Sequence, residues 1–360
     1  MNNSSKSFLP ALTGIRAIAA YLVFIYHFTP SPSFIGQTLY NFLHEFHVGV
    51  TLFFVLSGFI ITYNYFEKIN SLKMYFVNRF SRIFPMYFIL TTFTFVFFAI
   101  QKNLFLISDF KEFLSCISFL KGFSPNLRLV GISQGWTLTV EESFYLMAPL
   151  IFLFIKRSKI YLIIIPIIII LTGFGIVNLI SIPNSFEFIN SNNFMLLFTF
   201  FGRCFEFFVG IGIALFYKAN KKEFKTKMFT YFGVIVILLS ILILSFLKTD
   251  QQEGIYHPLG IIVNNFILPI FGIAPLYLGL LFENTGFKKF LSTKTMILLG
   301  KSSYIFYLIH MGVFVNILSQ ITTNNFFLFL IINIFAILIF KYLEEPISIL
   351  VKRKFKNSEI

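Results

Sequence analysis

The sequence predicts an all-α membrane protein of about ten transmembrane helices with both termini in the cytoplasm, and three observations lead there. Of 360 residues, 57% are hydrophobic and 12% charged, against roughly 45–50% apolar and about 25% charged for an ordinary soluble domain. The mean hydropathy is +0.83, and runs such as Ile167 to Ile170 leave no polar face. Basic residues gather in short segments between apolar stretches, where cytoplasmic loops of membrane proteins carry them. The formal charge of +14 therefore points to topology and not to nucleic acid, since no basic face interleaved with aromatics offers bases a platform.

Crossing the hydrocarbon core takes about 20 mainly apolar residues. Ten segments qualify: residues 9–29, 47–66, 84–100, 136–155, 160–180, 194–217, 228–247, 259–282, 297–319 and 326–343. Asn264, Asn265, Pro269 and Pro275 interrupt the eighth, which is expected to be kinked or broken where neighbouring helices satisfy the backbone. The first carries Arg16 and no small-residue cleavage pattern follows it, so it is expected to stay in the mature chain and not to act as a signal peptide. With the N-terminus inside, the cytoplasmic pieces hold 20 Lys and Arg: Lys6, Lys68–Arg82, Lys156–Lys159, Lys218–Lys227, Lys288–Lys294 and Lys352–Lys356. The outer pieces hold 5: Lys102, Lys111, Lys121, Arg128 and Lys248. That asymmetry sets the expected orientation.

The longest outer segment, about 101–135, is expected to form an ordered lid with a short helix around Phe110 to Leu120 and a turn at Ser124-Pro-Asn126. Segments this long without their own structure are uncommon unless functional. Cys116 and Cys204 read as small packing residues, and neither a disulfide framework nor a metal site is expected from their spacing. No repeat or linker appears, and one membrane domain over 1–360, without a fused soluble domain, is expected.

Charged groups within spans are costly and tend to face a cavity or partner. Those here are Arg16, His27, Glu141, Glu142, Arg203, Glu206, Lys301 and His310. Arg16 and His27, eleven positions apart, share one helix face about 16 Å apart along the axis. They read either as the two ends of a polar path or as a snorkelling Arg and an interfacial His. Glu141 and Glu142 project about 100° apart, and Glu141 shares a face with Tyr145. One carboxylate is expected to orient a histidine or take a hydroxyl proton, the other to be a helix-start charge favoured by the macrodipole. Arg203 and Glu206 suit an intrahelical pair. His310 shares a face with Tyr307, where it contacts substrate or bonds a neighbouring helix. Arg79 and Arg82, one turn apart, suit phosphate or pyrophosphate, although ordinary positive-inside charge accounts for them equally.

Several motifs in order resemble acyltransferase family 3, the integral-membrane O-acyltransferases of bacteria. They are Leu12-Thr-Gly-Ile-Arg16 through Tyr26-His27-Phe28, Gly49 through Ser57-Gly-Phe59, and Arg79-Phe-Ser-Arg82-Ile-Phe-Pro85. They continue with Trp136-Thr-Leu-Thr-Val-Glu141-Glu142-Ser-Phe-Tyr145, Gly202-Arg203-Cys-Phe-Glu206 through Gly210, and Gly300-Lys-Ser-Ser-Tyr304 through His310. The resemblance implies transfer of an acyl group, commonly acetyl from acetyl-CoA, to hydroxyls of lipopolysaccharide O-antigen, exopolysaccharide, peptidoglycan or another glycan, free or lipid-linked. It implies a multi-pass protein of the bacterial inner membrane, bathed in membrane lipid, with no metal and no nucleic acid. Carried onto this sequence, it makes Arg16, Arg79 and Arg82 holders of the CoA phosphates and His27 the base, or the group that itself becomes acylated. Glu141 or Glu142 would fix the His27 tautomer. Trp136, Tyr145, Arg203 and His310 would meet the acceptor. A small-molecule acceptor, or a proton-coupled transporter or flippase, is the rival reading. The transporter is disfavoured because transporters commonly show inverted repeats and paired broken helices.

Overall fold

The computed structural model describes residues 8–67, 69, 71–104, 106–180, 188–220 and 222–357, apart from the side chains of residues 180, 356 and 357. Lys6, Lys68 and Lys221 of the orientation count lie outside the described residues. Among the described residues there is no strand. In chain order the helices used below are α1 (Pro10–His27), α2 (Gln37–Leu43), α3 (Gly49–Tyr65), α4 (Leu72–Lys102), α5 (Ile107–Ile117), α6 (Trp136–Arg157) and α7 (Tyr161–Ile180). They continue as α8 (Phe200–Ala219), α9 (Met228–Leu247), α10 (Pro258–Phe282), α11 (Lys294–Ile309) and α12 (Asn325–Phe355).

Nine helical stretches among the described residues are long and apolar enough to cross a membrane, where the sequence suggests ten. The difference lies in the ninth expected span, 297–319. There α11 stops at Ile309 and a separate short helix, Val313–Leu318, follows. Gly312 sits between them at φ +73°, a conformation that only glycine adopts without strain. The eighth expected span is interrupted as its Asn and Pro residues suggest. Residues Val263–Ile273 in the middle of α10 form a π-helix flanked by α-helical turns. Its buried amides are satisfied locally: Thr51 Oγ1 donates to Asn264 Oδ1 at 3.2 Å, and Asn264 Nδ2 to Asn265 Oδ1 at 2.7 Å. A second π-turn, Phe340–Glu344, lies within α12.

Helix α4 runs for 31 residues from an N-cap in which Ser71 Oγ accepts from the Met74 N–H, and ends at left-handed Asn103. At 1.5 Å per residue it is about 46 Å long, well beyond the roughly 30 Å hydrocarbon core. The expected third span is only its C-terminal part, so Arg79 and Arg82 stand on helix and not on a loop. The short outer helix expected around Phe110 to Leu120 is α5, three residues earlier at each end.

The chain divides into two compact units, Met1–Glu67 with Phe205–Lys301, and Lys68–Cys204 with Ser302–Ile360. In the first, α1 packs along α3, and α9 packs against α10. Glycines of the sequence motifs set the close approach of α3 and α8. A Cβ on Gly58 of α3 would overlap the backbone of Phe207, and one on Gly210 of α8 the backbone of Val55. The core there is aliphatic and aromatic, with Tyr277 fully buried and its hydroxyl donating to the Leu52 carbonyl at 2.8 Å. In the second unit α4 packs against α5 and the C-terminal part of α12, and α6 against α7.

Candidate functional site

The first unit carries Arg16 and His27. Both sit on α1, Arg16 half-buried near its middle and His27 exposed as its last residue. The His27 ring packs 4.5 Å from the Tyr26 ring. Tyr26 in turn lies 5.0 Å from His44 and 5.7 Å from His47, and its hydroxyl donates to Glu253 Oε1 at 2.6 Å. His44 Nε2 stands 3.9 Å from the same carboxylate oxygen. Behind this, fully buried Glu45 accepts from the Gly254 N–H at 2.9 Å and faces His47 Nδ1 at 3.5 Å. Three histidines, two carboxylates and a tyrosine thus converge at one end of α1. Such a constellation can exchange protons, since imidazole changes charge near neutral pH and each carboxylate holds a neighbouring N–H or O–H in place.

Beside this cluster lies a polar cleft of about 470 Å³ between α2 and the turn 248–253. Its walls include Gln37, Tyr40, Asn41, His44, Asp250 and Glu253. Tyr40 stacks on His44 at 5.0 Å, and the Lys248 ammonium sits 4.6 Å over the Tyr40 ring. Burial holds Lys248 below the ordinary lysine range, against the pull of Glu45 and Glu253.

The second unit carries Arg79, Arg82, Trp136, Glu141, Glu142, Tyr145, Arg203 and His310. Arg79 on α4 lies 6.0 Å from the Tyr145 ring of α6, and its charge reaches Glu142. Tyr75, one turn before Arg79, donates to the Tyr145 carbonyl at 2.9 Å and locks the two helices in register. Arg82 is half-buried on the same helix. Both adjacent glutamates are within electrostatic reach of Tyr304 on α11; Glu142 also interacts with Arg79, and Glu141 with Tyr307. Trp136 opens α6 with its ring 5.0 Å from Phe198, which also carries the Arg128 guanidinium at 4.0 Å on its face. Arg203 is buried and donates to the Leu197 carbonyl at 3.1 Å; Glu206, also buried, falls in the first unit.

His310 is fully buried with Nδ1 2.8 Å from the Tyr307 carbonyl. Gln134 Nε2 donates to the carbonyls of Tyr307 and Leu308 at 2.7 and 2.9 Å. The end of a helix leaves its last carbonyls without intrahelical donors, and the break before Gly312 creates that situation in the interior. His310 and Gln134 are the groups that meet it.

Tyr26's neighbours carry no expectation from the sequence. Three titratable residues within His44-Glu45-Phe-His47, at the mouth of the second span, were a legible signal; Glu253, some 200 positions away, was not. In the sequence Lys121 reads as an ordinary outer charge. It is fully buried, donates to the Val130 and Ile132 carbonyls at 2.5 and 2.7 Å, and is pushed down to about 8 by burial.

The chain is 28% identical to the O-acetyltransferase OatA of Staphylococcus aureus (strain NCTC 8325), over 98% of its own length and 58% of that protein's. It is 28% identical to the peptidoglycan O-acetyltransferase OatA of Listeria monocytogenes over 44% of its own length and 27% of that protein's. It is 25% identical to a putative O-acetyltransferase of Staphylococcus aureus (strain COL), over 94% and 57%. The chain thus spans a little over half the length of the Staphylococcus relatives it matches. No solved structure matches it. A family model described as an acyltransferase domain, that of acyltransferase family 3, matches residues 9–343, a stretch that holds every helix bearing a candidate site residue, and the chain belongs to that family.

Proposed function

We propose that this chain is a membrane O-acyltransferase that moves an acyl group, acetyl in the first instance, from cytoplasmic acyl-CoA to a hydroxyl of a cell-surface glycan across the bacterial inner membrane. The observation that carries the reading is His27: an exposed imidazole closing the helix that bears Arg16, set among Tyr26, His44 and Glu253. The names of the relatives favour an O-acetyl product, and the Listeria protein's favours peptidoglycan as the glycan. The acceptor oxygen attacks the thioester carbonyl; the C–O bond of the new ester forms and the C–S bond breaks. His27 takes the hydroxyl proton and returns it to the departing CoA thiolate. General-base assistance of this kind contributes about 10²–10⁴-fold. Each unit is assigned its own groups. The first supplies His27 and, in Arg16, a cation for the donor's phosphates. The second supplies Arg79 and Arg82 for phosphates, with Glu142 beside Arg79 and Tyr145.

The test compares cells expressing the wild-type protein or His27→Ala at matched membrane levels, reading O-acetyl groups on the isolated glycan and CoA release from membranes. The wild type acetylates, and the variant falls by about 10²–10⁴-fold. Equal O-acetylation in the two would remove His27 from the chemistry. Absence of CoA release from wild-type membranes supplied with every acceptor glycan would remove the acyl-transfer reading itself.

A further inference from the structure

The cleft between α2 and the turn 248–253 shares His44 and Glu253 with the surroundings of His27, and the rest of its lining has no role in the thioester chemistry proposed above. We propose that it is the acceptor subsite, and that it binds one neutral sugar residue of the glycan; this rests on the acyl-transfer reading for its consequence, though not for the binding itself. Its volume of about 470 Å³ falls in the roughly 300–1,000 Å³ range of small-ligand sites. Its lining is unsuited to an acyl chain, because carboxylates, amides, an imidazole and an ammonium face it. It is equally unsuited to an anion, because Asp250 and Glu253 outnumber Lys248.

A sugar hydroxyl is at once donor and acceptor. Asp250 and Glu253 accept only, whereas the amides of Gln37, Asn41 and Gln252 do both, so the wall offers partners to several hydroxyls. Recognition here is by hydrogen bonds and not by ring stacking: Tyr40, the tyrosine of the lining, has His44 stacked at 5.0 Å and Lys248 over its ring at 4.6 Å. Gln37 Nε2 already donates to Asn41 Oδ1 at 2.7 Å, which holds both amides in position on α2.

The cleft is also tied to the reacting end of α1. Glu253, part of its wall, accepts from the Tyr26 hydroxyl at 2.6 Å, and the Tyr26 ring packs 4.5 Å from His27. A sugar seated on Glu253 and His44 therefore has its neighbouring hydroxyls at the His27 end of the first unit.

Two measurements on the purified full chain in detergent test this. The first is calorimetric binding of a neutral N-acetylglucosamine tetrasaccharide to the wild type, Asp250→Ala and Asn41→Ala. Both variants alter side chains at the cleft surface, and an unchanged melting temperature shows that each folds. Removing one hydrogen-bonding partner weakens binding about tenfold, and inorganic phosphate at millimolar concentration does not displace the sugar. Equal affinity in all three proteins, no binding by the wild type, or displacement by phosphate overturns the subsite. The second is acetyl transfer from acetyl-CoA to un-O-acetylated glycan strands. There the acceptor KM rises about tenfold in both variants while the donor KM and the acceptor-free release of CoA stay at the wild-type value. Binding lost in the variants without any transfer by the wild type keeps the subsite and removes the acyl-transfer reading. Transfer by the wild type with acceptor KM unchanged in both variants does the reverse.

Discussion

At the scale of single residues, cost decides which groups matter. Lys121 is an amine with no exposed surface, satisfied by two loop carbonyls, and its burial moves its titration from 10.5 down to about 8. Between those two values the unfolded chain binds the proton that the folded chain has released, so stability rises with pH across that window and the penalty is fully present below about pH 8. In thermal unfolding of the detergent-solubilised protein, Tm is expected to climb from pH 8 towards 10.5. Lys121→Met should melt lower throughout and lack that part of the climb; a parallel climb in the variant would show that other groups cause it. Gln134 offers a second case. Its amide donates to two carbonyls released at the end of α11, and a buried carbonyl left without a donor costs about 1–3 kcal/mol. Gln134→Leu, close in volume, is expected to lose that much stability, read as a lower melting temperature with α-helical content retained. Both residues were visible in the sequence and neither role was. Lys121 is one more basic residue in an outer loop until the loop folds over it, and Gln134 stands just before the motif that opens at Trp136. What was legible is the set whose cost is intrinsic: Arg16, Glu141, Glu142, Arg203 and His310 stand out because a charge or imidazole in an apolar span needs a reason.

At the scale of elements, backbone approach is the controlling quantity. Gly58 and Gly210 belong to two motifs of the resemblance, and the structure gives both the same role: each lies where a Cβ would enter the facing backbone, of Phe207 and Val55 respectively. Backbone cannot step aside as a flexible side chain can, and overpacking typically costs about 1–3 kcal/mol. Gly58→Val is therefore expected to lower the yield of folded protein and its melting temperature, whatever the assay for transfer shows. A variant as stable as the wild type would mean that α3 and α8 can separate freely. Irregular elements follow a similar logic. Asn264, Asn265, Pro269 and Pro275 announce an interruption in the eighth span, because a proline removes a helix hydrogen bond. That the interruption takes the form of an 11-residue π-helix depends on where neighbouring side chains such as Thr51 meet the freed groups, which no local pattern records. The break in the ninth span has weaker notice, a single Gly312 in an apolar run. Its left-handed backbone and its caps, His310 and Gln134, are tertiary facts.

At the scale of the whole molecule, composition decides the solvent and charge decides the direction. An apolar chain with this little charge has only lipid in which to bury its long helices, and the nine spanning-length helices among the described residues express that. Convergence over long separations is what composition withholds. Glu253 meets Tyr26 across 227 positions, and no periodicity links them. The expected orientation, in contrast, rests on a global sum over one sequence. The positive-inside rule counts Lys and Arg in short loops, and the 20-to-5 division of such residues survives the loss of any single one. On that count we propose that α1 sets Arg16 towards the cytoplasm and His27 towards the outside, which transfer from a cytoplasmic donor to an external glycan requires. Single cysteines introduced at Ser158, in the loop after α6, and at Asp250, in the cleft turn, test this in intact cells with a membrane-impermeant maleimide, on a background with Cys116 and Cys204 changed to Ser. The residue-250 site is expected to label from outside and the residue-158 site only after permeabilisation. The opposite pattern would invert the molecule, place His27 on the cytoplasmic side, and leave the family membership standing while removing the vectorial transfer proposed for it.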